Sequence, residues 1–193
     1  TFNTQALPCL EWDTTGYGGL PDTIVVGAPG TSTSAVMPLN QSYNYSYCQH
    51  LILASELPVT GPQNFGGIAF DYAYTQPMTH ATNCSIYMAN TTRAIMDGTD
   101  STFVPYSQLT LVYAGPLNCT TSGWNYFDFN SGVFAYDGTS NVIVAIVDNS
   151  GSSDGTSYMF RYQSTTDPMS HRVFGSTPYD STEMDAARAG QSY

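Results

Sequence analysis

The sequence predicts an all-β protein, an antiparallel β-sandwich of jelly-roll type, and three observations carry that prediction. Apolar and aromatic residues alternate with a period of two in successive short runs, as they do where a strand buries one face. Clusters of Gly, Asn, Asp, Ser and Pro separate the runs, and their side chains and permissive dihedrals close turns. Aromatics make up 13% of the chain and charged residues only 10%, against roughly 25% charged in an ordinary soluble domain. Polarity comes instead from Thr, Ser, Gly, Asn and Tyr, and the β-branched and aromatic types among these residues suit pleated, half-buried surfaces.

At 193 residues the chain is long enough for one sizeable core and needs no second domain. Residues 1–35 are rich in Gly, Pro, Thr and Ser (GYGGLPD, GAPGTSTSA). They are expected to form an extended N-terminal segment with one short apolar strand at Thr23–Val26, ahead of a sandwich over 36–193. In YNYSYCQHLIL, Tyr43, Tyr45 and Tyr47 fall on one face, and in GIAFDYAYT so do Ile68, Phe70, Tyr72 and Tyr74. Pro58, Gly61 and Pro62 lie between these strands, exclude a helix interior and mark a turn. Further strands are expected at NCSIYMAN, LTLVYAG, WNYFDFN, NVIVAIVDN and SYMFRYQS, with turns at DGTD, GPLNCTTSG, YDGTSN and NSGSSDGTS. Val142–Val147 is apolar on both faces, which predicts a central strand covered on both sides. Only STEMDAARAGQSY has helix-forming composition, and it is too short to change the class.

Four arginines and no lysine stand against 15 acids, for a net charge of -11. A chain without a basic stripe does not bind nucleic acid, because that requires phosphate neutralisation with counterion release. Binding to anionic membranes is set aside for the same reason. No apolar run approaches the roughly 18 residues of a membrane span, and no basic-then-apolar leader pattern is present, so the chain reads as already processed. Cys9, Cys48, Cys84 and Cys119 are widely spaced, without the CxxC or Cys/His spacing of a zinc site. In an oxidising compartment four cysteines allow three pairings. Cys84–Cys119 with Cys9–Cys48 is preferred, because the segments around 84 and 119 read as neighbouring strands; buried free thiols are the alternative.

The stretches YNYSYCQHLILASEL, IAFDYAYTQPMTHATNCSIYMANTT, FVPYSQLTLVYAG and VFAYDGTSNVIVAIVDNSGS resemble the adhesin-like jelly-roll modules of large secreted and surface proteins of Bacteroidota, over about residues 38 to 165. The resemblance implies a jelly-roll sandwich, export to the cell surface or medium, and a non-catalytic accessory role. Carbohydrate or a host or surface protein is the implied partner. The family offers no motif specific enough to transfer binding residues one by one, and the stretch after HRVFGSTPYDST offers no closing strand.

Sugar recognition needs aromatic faces with amides or carboxylates at their edge. Tyr43, Tyr45 and Tyr47, alternating with Asn44, are the candidate ligand-binding residues; the competing reading turns these tyrosines toward the core. Trp12 and Trp124 are alternatives, and Trp124, followed by Tyr126, is expected in the core. In the loop DNSGSSDGTS, the oxygens of Asp148, Ser150, Ser152 and Asp154 form a candidate structural calcium site. Arg161 occupies the place where an EF-hand would put its bidentate Glu, so an EF-hand is excluded, and a solvated hairpin competes with any other calcium loop. No cofactor is expected beyond that calcium.

His50, His80 and His171 lie in no HExxH, and there is no GxSxG elbow. Glu11, Glu56 and Glu183 do not form an evident carboxylate pair. Catalysis is therefore not expected. Asn-x-Ser/Thr sequons occur at Asn40, Asn44, Asn83, Asn90 and Asn118, as chance allows in a chain of this composition. The functional expectation is an extracellular surface module for adhesion or for carbohydrate or glycoprotein binding. The alternative is a self-associating subunit of a surface layer or filament, in which residues 1–35 complete a neighbour's sheet.

Overall fold

The computed structural model describes residues 7–8, 10–13, 23–27, 32–96, 103–153, 155 and 158–185, with side chains from Ile24 onward. Its strands are β1 (Leu7–Pro8), β2 (Leu10–Asp13), β3 (Thr23–Val26), β4 (Thr33–Ser34), β5 (Tyr45–Ile52), β6 (Gln63–Phe65) and β7 (Gly67–Tyr72). They continue as β8 (Cys84–Thr91), β9 (Thr110–Gly115), β10 (Gly123–Asp128), β11 (Phe134–Tyr136), β12 (Asn141–Asp148), β13 (Phe160–Gln163) and β14 (Ser170–Gly175), before a short helix α1 (Ser181–Asp185).

The central strand is the one its apolar run predicts. β12 lies between β5 and β8 in a sheet ordered β14-β5-β12-β8-β9, antiparallel throughout. Val142 through Val147 are at most 2% exposed. Residues opposite one another in register share a face, so Cys48, Ile86 and Ile146 point one way and Tyr47, Ser85 and Val147 the other. The first face meets the second sheet, where Tyr113 packs its ring 6.0 Å from that of Phe127.

In that second sheet β7 pairs with β10 on one edge and β2 on the other, and β3 follows β2. β13 joins at the Tyr72 end of β7 and itself pairs with β1 and β4. Ile68, Phe70 and Tyr72 point inward, with Phe70 5.9 Å from Phe127 and Tyr72 5.3 Å from Phe160 between ring centroids. Each such ring contributes about 1.5–3 kcal/mol by leaving water, and an edge-to-face or tilted pair about 0.5–1.5 kcal/mol more. The antiparallel sandwich is as predicted, while the strand order assigns no jelly roll.

Three features differ from expectation. First, the described part of residues 1–35 contributes four short strands, β1 to β4, to the second sheet, where one was expected at Thr23–Val26. Leu10–Asp13 has little β-branched character, and its strand state comes from pairing with both β3 and β7. Second, the turn expected around Pro58–Pro62 is followed at once by β6, which pairs with β11 and stacks Phe65 on Tyr136. Third, HRVFG is itself the outer strand β14.

The turn YDGTSN forms where the sequence puts it. Asp137 accepts bonds from the Ser140 hydroxyl and from the backbone N–H groups of Ser140 and Thr139, and these hold its carboxyl at about 2. Gly138 has φ +84, and a Cβ there would meet the Gly61 carbonyl carbon at 2.3 Å, so glycine is required.

The second face of the five-stranded sheet is covered by chain rather than water. Phe103 stacks on Tyr47 with centroids 4.5 Å apart and also contacts His171, while Tyr106 meets Tyr87 edge-on. Gln49, 0% exposed, holds this cover as a strand would. Its Nε2 donates to Val104 O (2.8 Å), and its Oε1 accepts from Val104 N (2.7 Å). Replacing Gln49 with Leu strands both Val104 groups, at about 1–3 kcal/mol for each unmet buried partner. Gln49→Leu is expected to lose about 2–4 kcal/mol in urea denaturation, with hydrogen exchange rising over 103–108 before it rises in β12.

Candidate functional site

The end of β12 gathers the polar residues that the sequence offered as a calcium loop, and turns them inward. Asp148 is 0% exposed. Its Oδ1 accepts from the Ser150 hydroxyl (2.5 Å), Ser150 N (3.0 Å) and the Cys84 thiol (3.6 Å), and its Oδ2 accepts from Gln41 Nε2. Ser150 Oγ in turn accepts from Thr82 N and Asn83 N. Burial raises the Asp148 carboxyl above the ordinary range, against the lowering effect of the Ser150, Cys84 and Gln41 donors. A carboxylate engaged by four internal donors is a structural acceptor, not an outward ligand. Ser152 is not among its partners, and Asp154 lies outside the described residues. Among the described residues no three His, Cys, Asp or Glu side chains group to hold a metal ion.

This knot positions the loop before β5. Asn149 exchanges two hydrogen bonds with the Tyr179 backbone, and Gly151 N donates to Asn44 O (3.1 Å). Gly151, at φ +72, lies against the Tyr45 hydroxyl, which a Cβ there would approach to 3.2 Å. The loop is tightened further by Asn40, whose Oδ1 accepts from Ser42 N and whose carbonyl accepts from Tyr43 N. The result is a small aromatic shelf. Tyr43 is 42% exposed and its ring lies 4.2 Å from that of Phe174 on β14. Asn44 and Tyr45, next in the chain, are half-buried, and Tyr45 opens β5 on the face opposite Phe174, whose register partner is Ser46.

Tyr47 does not belong to this shelf. It is 1% exposed, enclosed by Phe103 and Tyr179, and its hydroxyl accepts from Gln49 Nε2. Burial pushes its phenol up out of the titratable range. The alternation that put three tyrosines on one face is broken because Tyr43 lies before the strand begins. Phe174, the shelf's second ring, was not singled out from sequence, where nothing indicates its contact with a loop far away in the chain. Trp124 is half-buried rather than core, and its strand neighbour Tyr126 is 59% exposed. The Trp12 side chain lies outside the described residues.

The proposed disulfides are also corrected. Cys48, Cys84 and Cys119 are buried free thiols, and Cys9 lies outside the described residues. Cys84 faces Asp148 across the sheet, whereas Cys119 sits on an isolated bridge to Met78. Cys48 donates to Pro38 O and lies 3.2 Å from His50 Nε2, whose Nδ1 lies 2.9 Å from Ser170 Oγ. The order thiol, imidazole, hydroxyl looks like nucleophile, base and orienter, but the environment opposes it. Burial pushes the Cys48 thiol far up and holds the His50 imidazole down at about 3. Both are neutral at pH 7, and a reactive cysteine needs an accessible thiolate.

No family model matches the chain, and no curated protein matches its sequence. Among solved structures it is similar to the cysteine protease and lectin-like domains of Cwp84, a surface layer associated protein of Clostridium difficile. That likeness has a TM-score of 0.39 and 12% identity over 77% of this chain and 31% of the other. A clostridial Cwp84 variant after propeptide cleavage gives a TM-score of 0.40 and 12% identity over 71% of this chain and 31% of that one. This chain thus spans about a third of each, and neither likeness transfers a function.

Two outcomes follow. Alkylation of the unfolded, unreduced protein is expected to label Cys48, Cys84 and Cys119, each protected in the native state; a mass showing any two of them linked would contradict the free-thiol assignment. Asp148 has a raised folded pKa, so its contribution is full below its unfolded pKa of about 4 and is lost as pH rises through the folded value. Asn cannot ionise, and Gln41 can turn its otherwise unpartnered Oε1 toward the new amide. The Asp148→Asn protein should therefore gain stability relative to wild type between about pH 4 and 7, read as the difference in urea midpoints.

Proposed function

We propose that this chain is a non-catalytic extracellular surface module that recognises carbohydrate, free or carried on a glycoprotein. The observation that carries the reading is the shelf of Tyr43 and Phe174: an accessible aromatic face, backed by a second ring and held by a loop whose backbone is hydrogen-bonded into the sandwich. Sugar rings stack on such faces, and half-buried Asn44, next in the chain, supplies an amide as hydroxyl partner. The buried, neutral state of Cys48 and His50 favours binding over covalent chemistry. No helix among the described residues is long and apolar enough to cross a membrane, and the low charge and acidic balance fit an exposed surface that does not attract phosphate. Assembly by strand donation is less favoured, since β1 to β4 are paired within their own sheet.

A glycan array followed by calorimetry tests the reading. At least one neutral oligosaccharide or glycoprotein should bind, and Tyr43→Ala should weaken it about tenfold, a loss of about 1.4 kcal/mol, without changing the melting temperature. Tyr47→Ala should do the reverse, costing about 3–5 kcal/mol of stability as large core aromatics do. An array without a single binder, or a Tyr43→Ala protein that binds as wild type, would refute it.

A further inference from the structure

We propose that the outer face of β10 is a second carbohydrate surface, which takes the ring faces of an uncharged oligosaccharide. It rests on the reading of this chain as a glycan-binding module but uses none of the shelf residues. Along β10 the side chains alternate, and the strand's contribution to the core is made by Phe127, which packs on Phe70 and Tyr113. Trp124, Tyr126 and Asp128 therefore fall on the opposite, outward face. Their register partners on β7 are Asp71, Ala69 and Gly67. Ala69 and Gly67 are too small to shelter a ring, which is why Tyr126 is 59% exposed.

The Cα atoms of two residues at i and i+2 on one strand stand about 6.7 Å apart, so the backbone roots these two aromatic side chains side by side. β10 pairs with β7 alone among the described strands, so the platform is reached from its free edge as well as from above. At its margin, beside Trp124, Arg161 Nη1 donates to Asp71 Oδ1 (2.5 Å), with the Arg161 side chain 33% and the Asp71 side chain 8% exposed. A guanidinium and a carboxylate side by side match the paired donors and acceptors of neighbouring sugar hydroxyls, and exposed Asp128 adds an acceptor at the other end.

Charge selects the ligand class. Arg161 is already met by Asp71, Asp128 is acidic, and the whole chain carries -11. Sulfated and uronic-acid polymers are repelled, and uncharged hexose chains are not.

Trp124 reports on its own site. In a Trp12→Phe background it is the sole tryptophan, and its fluorescence can be titrated with cellohexaose, laminarihexaose and mannohexaose. At least one should give a saturable change, with Kd raised tenfold or more by Tyr126→Ser and unchanged within twofold by Tyr43→Ala. Because Tyr126 is mostly exposed, Tyr126→Ser should keep the parent's melting temperature. A lack of saturable change with all three sugars, or a Tyr126→Ser protein that binds as its parent does, overturns the proposal. Binding abolished by Tyr43→Ala and untouched by Tyr126→Ser would overturn it while leaving the shelf reading intact; the converse is the result expected of a separate β10 site, and the shelf is judged by the array glycans alone.

Discussion

A buried carboxylate at the end of the central strand organises this protein. Taking an ionisable group out of water costs several kcal/mol unless donors converge on it, and Asp148 terminates β12 where both faces are covered. The chain meets that demand by bringing two distant segments, Gln41 ahead of β5 and Cys84 at the start of β8, to Asp148, where Ser150 just beyond it completes the set. Once these are fixed, Ser150 and Asn149 bind the 82–83 backbone, and Asn149 also ties in Tyr179. The loop carrying Tyr43 into β5 is thus a consequence of the knot, not an independent feature.

The same economy of charge appears elsewhere as amide side chains acting as short strands. Gln49 on Val104, Asn149 on Tyr179 and Asn130 on Ala114 each offer one acceptor and one donor to one residue's N–H and C=O. Asn141, at the start of β12, accepts from Ala54 N and donates to Arg93 O, so the central strand is pinned by polar side chains at both ends. Asn130 occupies the outer edge of β9, where an open row of backbone groups would otherwise invite pairing with another chain. With no lysine and three glutamates to protect edges by charge, neutral amides do that work. The Asn-rich composition is in this sense structural.

This explains which parts could be read from sequence. β12 was legible because six apolar residues in a row fit only a strand covered on both sides. The β5, β7 and β8 strands were legible from alternation. Function-bearing orientation was not. In DNSGSSDG the residue types are the same whether Asp148 faces a cation or Cys84, and only the strand register decides. Alternation marks Trp124 and Tyr126 as opposite to Phe127 but does not say which face is the core; that depends on β7, which presents Ile68 and Phe70 inward and Gly67 and Ala69 outward. Leu10–Asp13 was illegible for another reason, since its strand state is imposed by two neighbours rather than by its own propensity.

The two aromatic surfaces differ in how their geometry is held, and that difference bears on what each can recognise. A shallow surface gains affinity only if its rings are ordered before the ligand arrives, because ordering a side chain on binding consumes much of the contact energy. Trp124 and Tyr126 take their spacing from a strand and suit a repeating ligand presented at fixed intervals. Tyr43 is held by one stacking partner and by turn hydrogen bonds through Asn40, a looser arrangement that suits a single terminal residue. The acidic balance acts on both alike, by excluding polyanions. If the proposed reading holds, discrimination among uncharged sugars would come from ring spacing on the strand and from the amide and carboxylate groups at the edges, since neither surface has net positive charge to contribute.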